Sequence, residues 1–192
     1  MSDQFVNAAQ DNMSAIERLL KGLPGIKGYV DKELRRDADK RLRTMIAANL
    51  EEQKHALFEL QTKLMKSGGL SLLDEMDSAV QKLQILIDRI KTASYGYAGL
   101  FDAVKIEAEQ LNALHRFDVA LAERTAEVES GIQAIGAAVE KQGDIAQAIE
   151  DLAKRLNDLN SLVGRRAEAI VSPDLLMDVA NLPEVDPKLL DE

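Results

Sequence analysis

The sequence predicts an all-α protein, an elongated antiparallel helical bundle with coiled-coil-like seams. Three observations carry that expectation. Apolar residues recur at steps of three and four along most of the chain, the period of one helix face, and no stretch alternates at period two for long enough to argue a strand. Aromatic residues are only 4% of the 192 residues, with no Trp, so a core must be built from Leu, Ile, Val, Met and Ala, as in helix seams. Glycine and proline gather in short clusters that punctuate the periodic runs.

Val6, Ala9, Met13, Ile16 and Leu20 mark a first helix over about 3–21. Gly22-Leu23-Pro24-Gly25-Ile26-Lys27-Gly28 breaks it, by backbone entropy at the glycines and by the donor that proline lacks. A second helix, about 29–66, carries Val30, Leu34, Ala38, Leu42, Met45, Ile46, Leu50, Leu57, Leu60 and Leu64. Ser67-Gly68-Gly69 leaves room only for a tight reversal, so the helix over about 71–92 is expected antiparallel to it. Its seam is Leu73, Met76, Val80, Leu83, Ile87 and Ile90. Tyr95-Gly96-Tyr97-Ala98-Gly99 reads as a second corner or a kink.

A long helix over about 101–142 follows, with Leu111, Leu114, Leu121, Val128, Ile132, Ile135 and Val139 on its seam. Asp118 and Thr125 occupy seam positions that ask for apolar side chains, and Gly131, Gly136 and Gly143 lower helix propensity, so this rod is expected to be the softest. Gly143-Asp144 reads as a phase break, with Asp144 placed to cap a new helix over about 144–169. The two could equally be one bent rod. The bundle therefore spans 1–170, and narrow seams leave apolar edges that a second copy could cover.

From 171 to 192 the character changes. Ser172-Pro173-Asp174 is a helix start, with Pro at the first helical position and an acid near the positive helix end. Leu175, Leu176, Val179 and Leu182 would line one face of a short helix over about 173–182, ended by Pro183 and Pro187. Six acids against Lys188 give this segment a charge of about -5. It reads as a docking arm, with those four residues as the partner-docking face, or as a partly disordered tail.

Charge narrows the function classes. Lys and Arg number 24 against 33 Asp and Glu, a formal charge of -9, which argues against general nucleic-acid binding. Zero Cys removes disulfides, thiolate chemistry and Cys-ligated zinc. The N-terminal residues lack the basic and apolar regions of a secretory signal, and no apolar run reaches about 18 residues, so the expected location is cytoplasmic, with a membrane-peripheral variant open. Against that acidic background, Lys21 to Arg43 holds eight bases and four acids. Lys32, Arg36, Lys40 and Arg43 share one helical stripe, suited to phosphate oxygens or an acidic partner, the candidates being anionic lipid and the acidic tail of this chain or of a neighbour. Ordinary four-apart pairs, such as Asp37 with Arg41 and Asp39 with Arg43, account for the same pattern.

Catalytic signatures are sparse. A di-iron bundle needs Glu-x-x-His twice, and Glu52-Gln53-Lys54-His55 supplies one copy, while His115 has Asn112 in place of the acid. No nucleophile turn accompanies either histidine, and the glycine clusters lack the Gly-Lys-Ser/Thr of a phosphate loop. The expectation is a chain without catalytic, metal or cofactor residues.

The stretch Leu23-Pro24-Gly25-Ile26-Lys27-Gly28-Tyr29, continued by Glu33-Leu34-Arg35-Arg36-Asp37-Ala38-Asp39-Lys40, resembles a segment of uncharacterised bacterial all-helical proteins. The turn from Tyr95 to Phe101 strengthens the likeness, which covers about a fifth of the chain and implies an all-helical fold without an assigned activity. In layout alone, an amphipathic N-terminal helix before a long helical hairpin is similar to phage-shock protein A. The expected function is a non-enzymatic scaffold or adaptor that forms homo-oligomers and binds a protein partner. The alternative is a peripheral protein that meets an anionic membrane surface through its first helix and the Lys32 to Arg43 stripe.

Overall fold

The computed structural model describes Leu19 and residues 32–66, 69–93, 108–141 and 143–190. Four helices dominate: α1 (Lys32–Lys66), α2 (Leu73–Thr92), α3 (Ala108–Lys141) and α4 (Ile145–Val171). Short 3-10 turns follow α1 and fill the tail, and no strand occurs among the described residues. The protein is all-α, a helical bundle. At 1.5 Å per residue, α1 and α3 are each about 50 Å long. The Tyr95–Phe101 corner lies outside the described residues, as does the first helix apart from Leu19.

Both hairpins close in the same way. Leu64 O accepts from Gly69 N at 3.0 Å, and Ala138 O accepts from Gly143 N at 2.9 Å, six-to-one bonds that turn a helix end back on itself. Asp144 then caps α4, its carboxylate accepting from Gln147 N at 2.9 Å. The bent-rod alternative is thereby removed. Antiparallel register follows from the cross-links: Glu51 with Lys91 and Lys54 with Gln84 tie α1 to α2, and Asp118 with Arg166 and Glu127 with Arg155 tie α3 to α4.

The hairpins pack side by side, α1 on α3 and α2 on α4, which puts the pairs α1/α4 and α2/α3 on the diagonals. Gly136 of α3 lies against Leu60 of α1, and Arg89 of α2 donates to both oxygens of Asn160 in α4. Each contact matches late residues with late residues, so the neighbours across hairpins run parallel. Among adjacent helices, only the pairs within a hairpin are antiparallel.

One core runs through all four helices, from Leu42, Ile46 and Leu50 through Met76, Leu83 and Ile87 to Phe117, Ile132, Leu152 and Leu159. The buried faces are wider than the expected seams. On α2, Ala79 and Leu86 join the anticipated residues, giving the three or more apolar positions per two turns of a bundle helix instead of the two of a coiled coil. On α3, six consecutive residues from Phe117 to Ala122 are buried, which happens only when a helix is covered on every side.

That cover comes from the chain itself. Leu19 and Leu189 close over Val119 and Ala122, with Met45 of α1 packed alongside. Leu176, Leu182 and Val185 join the main core. The expectation of apolar edges left for a second copy is therefore corrected along α3, where the tail and Leu19 occupy them.

The tail also departs from the expected single helix. It forms 3-10 turns at Pro173–Met177, Val179–Asn181 and Pro187–Leu189. Asp178 is extended, and its carboxylate accepts from Ala180 N at 3.0 Å. Asp186 accepts from Lys188 N in the same manner. Such local side-chain bonds offer the backbone an alternative to the helix, and here that alternative wins.

Candidate functional site

Two surfaces stand out, on opposite sides of the bundle. The first is a groove of about 470 Å³ between α1 and α2, lined by Lys40, Arg43, Thr44, Ala47, Ala48 and Glu51 of α1 and by Lys91 of α2. Its rim carries three cations and one anion. Glu51 accepts from Lys91 Nζ at 2.5 Å, and that bond, foremost, holds the Glu51 carboxyl below its ordinary range. Both partners are more than a third exposed, so the pair adds little stability; it offsets the charge of Lys91, and the net positive character of the groove comes from Lys40 and Arg43.

Of the four residues expected to form the anionic-partner stripe, Lys40 is exposed and Arg43 half-buried, and both line this groove. Lys32 and Arg36 belong to the first turns of α1, where their side chains lie outside the described residues. Lys91 was missed. The signal for it was the hairpin register, which sets residues 51 and 91 opposite each other once the turn at Gly69 is fixed.

The second surface is the docked tail. Turn Pro173–Met177 packs on both α3 and α4. Arg116 Nε donates to Pro183 O at 2.7 Å, Arg165 Nη2 donates to Asn181 O at 2.5 Å, and Glu123 accepts from Asp186 N at 3.3 Å. These three anchors flank the buried ion pair beneath, in which Arg166 Nε donates to Asp118 at 2.6 Å. Burial raises the Glu123 carboxyl, opposed by the bond from Asp186 N.

The partner-docking face expected of Leu175, Leu176, Val179 and Leu182 is thus divided. Leu176 is buried and Leu182 is packed against the core, because the break at Asp178 gives the segment no helical face to share. Leu175 and Val179 point outward, 38% and 76% exposed, and Met177 joins them at 46%. Asp174, Asp178, Glu184 and Asp186 are exposed along the same segment. Met177 was missed, since three-four stepping gave it no role.

Both polar seam residues of α3 are provided for. Asp118 meets Arg166, and the Thr125 hydroxyl donates to Leu121 O at 2.7 Å. The two histidines are far apart. With Leu60 level with Gly136, His115 stands roughly 24 Å along the bundle axis from His55 at 1.5 Å per residue. Among the described residues no group of three or more His, Cys, Asp or Glu is arranged to hold a metal ion. A second groove, of about 550 Å³ between the starts of α2 and α4, pairs Asp74, Glu75 and Glu150 with Lys82.

Among the described residues, no helix is long and apolar enough to cross a membrane. Fold and surfaces together define an all-α bundle of two helical hairpins with a docked acidic tail. The chain matches no protein-family model, and comparison with curated proteins and with solved structures returns no match.

Proposed function

We propose that this chain is a non-enzymatic helical scaffold, cytoplasmic, that self-associates and binds a protein partner through the outer face of its docked tail. The observation that carries the reading is that Leu175 and Met177, between Asp174 and Asp178, and Val179, just after them, are left exposed on a segment that buries Leu176 and Leu189. A tail that uses Leu176 and Leu189 as anchors holds its remaining apolar side chains in fixed positions, and a preordered surface loses less entropy on binding. The core is filled mainly by aliphatic side chains from all four helices, which suits a rod that presents surfaces. Light scattering tests the self-association: a mass that rises with concentration supports it, and a monomer at every concentration contradicts it.

The second reading, a peripheral protein at an anionic membrane, is favoured by the cluster of Lys40, Arg43 and Lys91 at one groove. Its layout-level likeness to phage-shock protein A points the same way. Salt-sensitive co-sedimentation with anionic vesicles, lost in Lys40→Glu, supports that reading, and no binding at low salt removes it.

A further inference from the structure

We propose that the basic groove between α1 and α2 takes the outer face of the docked tail of a second copy, joining copies side by side in an open-ended row. The inference rests on the self-association reading above and names its contact. Charge selects the occupant. At a formal charge of -9, two copies repel over most of their surfaces. The groove, where Glu51 offsets Lys91 and leaves Lys40 and Arg43 as its net positive charge, is a place where an acidic surface of this same chain is attracted. The tail offers Asp174 and Asp178 on either side of Leu175 and Met177, and the groove offers exposed Ala48 between its cations.

Position then dictates the symmetry. The groove belongs to α1 and α2 and the tail lies on α3 and α4, opposite sides of the four-helix ring. The Leu60–Gly136 contact sets Lys40 level with Arg116, and Arg116 is a tail anchor, so the two surfaces also share a level along the bundle. A patch on one face that fits a patch on the opposite face makes a head-to-tail contact, which repeats instead of closing as a two-fold dimer does. Bundles thus stack laterally, each presenting a groove at one side and a tail at the other. With few apolar groups in the contact, each joint is small and held largely by charge, so assembly weakens as salt rises.

The test uses full-length protein carrying Lys40→Glu or Asp174→Lys, both at exposed positions. At low salt the unmodified chain should grow with concentration past twice its 21.1 kDa. Each variant alone should assemble about tenfold more weakly or worse, because like charges then meet in the joint. An equimolar mixture of the two should assemble again, since every groove finds a tail of opposite sign. Circular dichroism checks that each variant is folded. Growth unaffected by either substitution, or a fixed dimer mass, overturns the inference while self-association stands. A wild-type monomer throughout removes both. Vesicle binding lost in Lys40→Glu, without self-assembly, assigns the groove to lipid phosphates and also overturns it.

Discussion

Asp118 and Arg166 show how a residue out of keeping with its helix is accommodated. Each is almost wholly buried, so their attraction is set against a large desolvation cost, and removing one partner strands the other. Asp118→Ala should therefore destabilise the fold by about 3–5 kcal/mol, whereas Asp118→Leu with Arg166→Met should recover most of that loss. Urea unfolding of the three proteins decides between a pair that fixes the register of α3 on α4 and one that stabilises it outright. Glu123 makes a second residue-scale prediction. Its folded carboxyl lies above the ordinary 4.5, so the folded chain binds a proton that the unfolded chain does not. Stability withheld by Glu123 at neutral pH is regained as pH falls through the raised value, with no further gain below 4.5. Glu123→Gln keeps an oxygen for Asp186 N and should flatten that part of the pH profile, read as melting temperature against pH for both proteins.

At the scale of elements, the glycines of α3 have opposite consequences. A Cβ at Gly136 would stand 3.5 Å from Leu60, ordinary contact, whereas one at Gly131 would meet Leu152 at 3.1 Å and Arg155 at 3.2 Å. Gly136→Ala should gain about 1 kcal/mol of helix propensity, and Gly131→Ala should gain less or lose stability as α4 is pushed away. Thermal melts of the two variants measure the difference. The helices themselves were legible because side-chain period reports directly on local geometry: Met76, Val80, Leu83, Ile87 and Ile90 lie on the buried face their spacing predicts. The tail was not legible. Its hydrophobic residues look like a helical stripe, and only the competition between the Asp178 carboxylate and the helix, together with the cover needed by Val119 and Ala122, sends Leu176 and Leu189 inward. Lys40 and Arg43 of the groove were readable from α1 alone, while Lys91 required knowing which helix lies opposite.

The molecule as a whole is two parallel-stacked hairpins whose seam between α3 and α4 is sealed by the chain's own end, leaving a basic side and an acidic side. That polarity underlies every functional statement above, and it depends on the tail being docked instead of free. The absence of cysteine gives a direct test. Single cysteines at Leu176, Val179 and Leu189, labelled under native conditions, report access at each position. A docked tail predicts that the Val179→Cys thiol reacts like an open one, with Leu176→Cys and Leu189→Cys slower by about a hundredfold, the protection that local docking gives. Equal, fast labelling at all three positions would contradict it.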